Sequence, residues 1–218
     1  MQRRPVSDEG VKRSDRAENG ARVHTRDLRM AVRTDEGHSM GRGSQAPRIG
    51  RGSWMTHTVT YRTSGASDIT GIVECALAAF WPVDGTSAWD RAMGFVDGQD
   101  WASKKRRSLS RFVETHPERS QVAQAGDRIA GFVMWRVDPT NLVGEVENLA
   151  VHPDFQGHGI ARSLMDHAIE TLRSEGMRSI KVFTGLDVNH EAARRLYERL
   201  GFRDVWYTVT YGMVLDSD

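Results

Sequence analysis

Residues 150–169 read AVHPDFQGHGIARSLMDHAI. The stretch opens apolar, breaks at Pro153, passes the glycines of Gly157-His158-Gly159 and then takes on helical periodicity. A glycine-rich bend between a strand and a helix has a specific physical use. The first turn of a helix leaves its backbone N–H groups without intrahelical acceptors and carries the positive end of the helix dipole. Glycines let the main chain approach a ligand closely and turn several N–H groups the same way, which makes a cradle for an anion. Two familiar phosphate loops do not match. A P-loop ends in Gly-Lys-Ser/Thr, whereas this bend ends Gly159-Ile160-Ala161; the dinucleotide fingerprint needs a small residue where Arg162 stands. An ordinary strand-to-helix turn is the competing reading of these residues alone.

Outward from the bend, the chain predicts a mixed order of elements. HTVTYRT (57–63) alternates as a strand, and SDITGIVECALAAFW (67–81) reads as a helix capped by Ser67 and stopped by Pro82. Residues 83–101 are irregular, a helix spans 103–115, and Gly126-Asp127 forms the tight turn of a hairpin. Strands follow at 143–151 and in SIKVFTG (179–185), around a helix over 158–175. Asn189 predicts an N-cap for a helix over 190–200, and FRDVWYTVTYGMVL (202–215) closes the chain with one or two strands. The fold class is α/β, an α+β mixed sheet that is mostly antiparallel with one parallel pair, and helices on both faces.

Composition narrows the function. One cysteine, Cys75, excludes an internal disulfide framework and suits a reducing cytoplasm, so a cytoplasmic location is expected. The longest apolar run, CALAAFWPV (75–83), is far short of the ~20 residues a membrane helix requires, so no membrane partner is expected. Residues 1–54 carry 12 Lys+Arg against 7 Asp+Glu and only six of Val, Ile, Leu and Phe. That composition predicts a disordered basic segment. It reads as a flexible tail, a targeting arm or a non-native leader; the last is favoured, because Met55 stands directly before the first strand. The remaining residues 55–218 form the folded domain and carry 18 basic against 22 acidic groups, which argues against nucleic acid as the main partner. A homodimer is left open.

Gln156-x-x-Gly159-x-Ala161, preceded by Leu149-Ala150-Val151-His152-Pro153, resembles the acetyl-coenzyme A signature of the GNAT superfamily of N-acetyltransferases. A second stretch, VNHEAARRLYERLGF (188–202), is similar to the later half of the family pattern, with Asn189, a small residue at Ala192, Tyr197 and a closing Gly-Phe. The resemblance covers about residues 57–215. It implies the GNAT acyl-CoA N-acyltransferase fold, in which the strand ending at Val151 splays away from the one beginning near Ile180. It also implies acetyl-CoA as co-substrate and no metal. Pantetheine would lie along Leu149, Ala150 and Val151, and the diphosphate on the N–H groups of Gln156, Gly157, His158, Gly159, Ile160 and Ala161. Arg162 would add charge, while Asn189 and Ala192 would contact pantetheine.

The implied activity is acetyl transfer to a primary amine by direct attack on the thioester. Tyr197 is the candidate acid for the departing thiolate. Glu147, then Glu145, are candidate bases; in a regular strand they share a face with Leu149, and a bulge would split them. A free glutamate titrates near ~4.3 and an alkyl amine near ~10.4, so a water relay is expected. His152 and His158 read as loop residues rather than catalysts, and Cys75 as core. Residues 81–101, with Trp81, Trp89, Trp101, Asp84, Asp90, Asp97 and Asp100, suggest a small cationic amine as acceptor. A peptide N-terminus or a lysine is the alternative, and a non-catalytic acyl-CoA-binding regulatory module a further one. Acyl chain length is not fixed by these residues.

Overall fold

In a computed structural model of the chain, the described residues are 24–30, 55–81, 85–94 and 98–215. Six strands form one sheet in the order β1 (His24–Met30), β2 (Met55–Thr63), β3 (Ser120–Ala125), β4 (Arg128–Asp138), β5 (Val143–Val151) and β6 (Ser179–Val182). Neighbours are antiparallel except β5 and β6, which run parallel. Helices α1 (Ile69–Phe80) and α3 (Trp101–Thr115) cover one face, and α4 (Ile160–Ser174) and α5 (Glu191–Arg199) the other. The short α2 (Gly85–Met93) lies between α1 and α3 in the chain. The mixed sheet with helices on both faces agrees with the expected fold class.

Each helix follows from its apolar spacing. In α4 the buried residues Ile160, Leu164, Met165, Ala168 and Leu172 recur on one stripe. With Leu196 and Tyr197 of α5 they pack on Val133, Trp135 and Val146 of the sheet. The opposite face seats Ile72, Val73 and Ala76 of α1 and Leu109, Phe112 and Val113 of α3 against Phe132, Met134 and Ala150. β4 is therefore buried on both sides, and its apolar run feeds both cores by alternation. Gly131 sits where β4 passes the start of α4. A Cβ there would stand 2.8 Å from the Ala150 carbonyl oxygen and 3.1 Å from Ile160 Cγ2, so glycine lets the helix start close to the sheet.

Several local expectations need correction. Residues 24–30 were expected within a structureless segment, yet they form β1, antiparallel to β2 from His24↔Tyr61 to Met30↔Met55. The open edge of β2 supplies a ladder of backbone donors and acceptors, so a short segment of modest hydrophobicity can pair there. The rest of 1–54 lies outside the described residues. Ser67 does not cap α1: a 3-10 turn over Ala66–Asp68 precedes it, and Asp68 accepts the Gly65 N–H instead. Within 83–101, read as irregular, α2 forms; its Asp90 is buried and joined to Lys104 at 2.7 Å. Asn189 does not cap α5, because Asp187 accepts the Asn189 N–H and opens a 3-10 turn over Val188–His190. Residues 202–215 carry no strand; Val205, Trp206, Tyr207, Val209 and Tyr211 are exposed.

The entry into α1 carries a paired charge. Arg62 of β2 meets the buried Asp68 through both guanidinium NH groups, each at 2.7 Å. That side-chain hydrogen bonding holds the Asp68 carboxyl below its ordinary range. Asp68→Asn is expected to lower the unfolding free energy by about 2 kcal/mol near neutral pH. The deficit should persist while pH stays above ~3.9, where an unfolded aspartate titrates, and shrink as pH falls through the lower native value. Urea denaturation of both proteins across that range checks it; a deficit that grows towards acid would be the wrong sign.

Candidate functional site

The site is built where β5 leaves β6. Their parallel pairing runs from Val143↔Ser179 to Val146↔Val182 and stops, although β5 continues to Val151. At the same point the β4–β5 ladder jumps from Trp135↔Val146 to Met134↔Asn148, so Glu147 is an extra residue with no partner in β4. This is a β-bulge. The gap beyond it opens into a cleft of about 700 Å³, lined among others by Glu147 to Val151, Gly157, Gly159 to Arg162, Val182 to Thr184, Asn189, Ala192 and Tyr197. That volume falls within the ~300–1,000 Å³ of small-ligand clefts.

At one end lies the start of α4. Gly157 and Gly159 have φ of +80° and +78°, a conformation costly for any residue with a Cβ. An ideal Cβ on either would meet no atom within 4 Å, so both face open space. Among the described residues, none of the N–H groups of 157–162 donates to a backbone carbonyl; the first such bond is Ser163 N–H to Gly159 at 3.1 Å. These amides and the helix dipole make a place for a bound anion. The expected set shifts by one residue. The Gln156 N–H is spent on the Pro153 carbonyl at 3.3 Å, and its side chain donates to the Val151 carbonyl at 3.1 Å. Gln156 thus braces the bend to the end of β5. Arg162 lines the cleft, half exposed, with Asp166 3.5 Å from its guanidinium.

Tyr197 is buried on α5 and lines the cleft beside Ala193, with Phe202 at 5.8 Å between ring centroids. Desolvation pushes its hydroxyl up to about 12. Asn189 and Ala192 join the same wall. The loop before them is tied by Arg194, which donates to the carbonyls of Gly185 and Asp187, and by the 2.6 Å contact of His190 Nδ1 with Asp187.

The two glutamates separate as the bulge requires. Glu147 lines the cleft, and one of its oxygens accepts from Arg136 Nε. Glu145 is not in the lining; it pairs with Lys181 across the β5–β6 register at 2.9 Å. His158 keeps its ring on the Phe155 carbonyl at 3.3 Å, and His152 lies among Arg128, Asp154 and Phe155; neither ring lines the cleft. Desolvation lowers His152 from its ordinary value. Cys75 is buried, and desolvation pushes its thiol up to about 12, as a core residue requires.

The far end of the cleft holds residues that sequence reasoning missed. Phe80 ends α1, and Lys105 of α3 donates to Asn148 Oδ1 at 3.0 Å with its ammonium 4.5 Å from the Phe80 ring centre. No periodicity marks Lys105, since its neighbours are distant in the chain. Two of the four acidic residues expected to serve an acceptor from 81–101 lie within the described residues. Asp90 is buried with Lys104, and Asp100 accepts the Ser103 N–H as the cap of α3; Asp84 and Asp97 lie outside the described residues. Trp101 is buried against Trp81 at 5.4 Å.

Comparison with known proteins places this geometry in a family. The acetyltransferase (GNAT) family profile matches residues 82–202. N-alpha-acetyltransferase 30 of Schizosaccharomyces pombe is 37% identical over 94 residues, covering 42% of this chain and 61% of that protein. A mycothiol acetyltransferase of Beutenbergia cavernae is 35% identical over 80 residues, covering 37% of this chain and 26% of that protein. The chain therefore spans less than two thirds of the length of these curated relatives. A solved PaiA N-acetyltransferase of Thermoplasma acidophilum, in complex with coenzyme A, shares the fold with a TM-score of 0.54 at 16% identity over 66% of this chain and 89% of that one. With a family match across most of its folded part and the family's sheet beneath the cleft, the chain belongs to the acetyltransferase (GNAT) family.

Proposed function

We propose that the protein is an N-acetyltransferase that moves the acetyl group of acetyl-CoA to a primary amine by direct attack on the thioester. The observation that carries this reading is the row of uncommitted amides at 157–162, opening into the gap between β5 and β6. A diphosphate fits there on charge and on space: the glycines face an open volume, and Arg162 stands one turn further on. The parting of β5 from β6 exposes strand backbone along Leu149, Ala150 and Val151, against which an extended amide-bearing chain can lie as an added strand.

The chemistry then asks little of the side chains. A neutral amine attacks the thioester carbon, and a backbone N–H near Leu149 or Ala150 stabilises the oxygen as it gains charge. The C–S bond breaks and the amine sheds a proton. Glu147 is the carboxylate in the lining, and with one oxygen held by Arg136 it would take the proton on the other, through water. Glu145, turned to Lys181, is not suited to that role. Tyr197 serves the departing sulfur. With its hydroxyl near 12 and a thiol near ~8.5, it acts by donating a hydrogen bond rather than by surrendering its proton outright.

Two measurements test the two ends of the site. Gly159→Val should weaken acetyl-CoA binding at least about tenfold by calorimetry while the circular dichroism spectrum stays native, because the side chain strains the bend and fills the anion's place. Unchanged affinity would remove the cradle. Tyr197→Phe should lower kcat at least about tenfold with acetyl-CoA affinity nearly kept. The ratio of the two rates should stay flat from about pH 7 to pH 10, since a hydroxyl titrating near 12 keeps its proton throughout. A ratio that collapses near neutral pH would assign the acid to another group.

A further inference from the structure

The bend that carries the open amides is itself held by side chains outside the cleft. β5 ends at Val151, the His152 N–H donates to the Ala130 carbonyl at 2.9 Å, and a 3-10 turn over Pro153–Phe155 leads on to Gly157. Nδ1 of His152 accepts the Asp154 N–H at 3.3 Å and so opens that turn. The Phe155 N–H closes it on the His152 carbonyl at 2.9 Å. Phe155 is buried beneath, with its ring edge-on to the His152 ring at 5.9 Å. Arg128, the first residue of β4, completes the cluster. Its guanidinium donates to Asp154 Oδ2 at 2.9 Å, lies 4.8 Å from the centre of the Phe155 ring and stands 3.3 Å from His152 Nε2. A donor therefore faces each nitrogen of the ring.

We propose that His152 is a positioning residue of the anion cradle: as a neutral imidazole it accepts the Asp154 N–H, and so sets the turn that delivers the amides of 157–162 to the coenzyme. This rests on the acetyl-transfer reading above. An imidazolium has donors only, so protonation removes the acceptor and leaves the Asp154 N–H against a second N–H. The turn passes this on, because Gln156 directly after it is anchored to the Val151 carbonyl and precedes both glycines. Among the described residues, the charges facing the ring are Arg128 of β4, Asp154 of the turn and Glu74 of α1. Desolvation, and then Arg128, lower the His152 value against the pull of Asp154 and Glu74. The Asp154 oxygen nearest the ring, 3.6 Å from Nδ1, already accepts from Arg128. The Cys75 thiol of α1, beside the His152 backbone, titrates near 12 and stays protonated. The ring is thus neutral at pH 7 and gains its proton below the ordinary ~6.5 of a histidine.

The test is calorimetry of coenzyme A on the full chain from about pH 8 to about pH 5, with two substitutions. His152→Phe keeps a ring against Phe155 and has no acceptor. His152→Asn supplies an oxygen that accepts the Asp154 N–H and does not titrate. At about pH 7.5, His152→Phe should bind coenzyme A at least about fivefold more weakly than the unaltered protein, the scale of one hydrogen bond, and His152→Asn within about twofold of it. Towards acid the unaltered protein should lose affinity relative to His152→Asn, by at least about threefold near pH 5, with a midpoint below ~6.5. Taking the ratio of the two cancels the titration of the coenzyme's own phosphates. Unchanged affinity in His152→Phe, an equal loss in both variants, or a ratio that stays flat with pH overturns the proposal. If circular dichroism shows that His152→Phe does not fold, the pH ratio decides alone. Failure of the unaltered protein to bind coenzyme A at any pH would instead overturn the acetyl-transfer reading.

Discussion

A single extra residue in β5 organises this molecule. Because side chains alternate across a strand, inserting Glu147 without a partner in β4 exchanges the faces of every residue after it. Val146 belongs to the core under α4, whereas Ala150, four positions on, belongs to the core under α1 and α3. The parallel ladder with β6 ends at the residue before the bulge. The sheet is held together by β4, buried on both faces, while its far edge is free to part. A cleft through the middle of a sheet would otherwise leave two rows of backbone groups unpaired in an apolar interior, which is costly. Here the gap opens outward, where a ligand's amides or water can meet those groups.

The two ends of the cleft are electrostatically distinct for reasons that lie in different parts of the chain. At the α4 end the positive field comes from N–H groups that glycine dihedrals leave uncommitted, with the Arg162 guanidinium one turn further on. Backbone dipoles and an arginine keep their charge across the physiological pH range. At the α1–α3 end the field comes from side chains set in pairs. Arg136 occupies an oxygen of Glu147, and Asn148 fixes Lys105. Tyr197 lies in the wall between, desolvated enough to remain a hydrogen-bond donor at any physiological pH.

Much of this could be read along the chain. The bend at 157–159, the hairpin at Gly126-Asp127, the helix beginning at Ile160 and the strand at 143–151 are local matters, set by glycine dihedrals and by apolar spacing within a few residues. Tyr197 and Asn189 were legible as cleft residues through the resemblance of VNHEAARRLYERLGF to the family pattern, and a bulge beside the two glutamates was expected on the same ground. The helix caps were less so. Ser67 and Asn189 are good capping residues, but a short 3-10 turn precedes each helix, and neither α1 nor α5 begins on a side-chain cap. The alternation in 202–215 suggested strands, yet alternation becomes a strand only when a neighbour supplies a ladder. Conversely, 24–30 has a weak pattern and pairs because the edge of β2 is available.

The sequence by itself determined that one helix would begin on a glycine bend with open amides and that apolar stripes would cover a mixed sheet. Each is a short-range consequence of backbone dihedrals or periodicity. Only the tertiary structure decided which glutamate reaches the cleft, that Arg136 engages it, and that Lys105 of α3 meets Asn148 beside Phe80. Those pairings join residues 11 and 43 positions apart. They depend on the face each strand residue takes after the bulge and on where α3 crosses the sheet, and neither quantity is written in any local stretch of the chain.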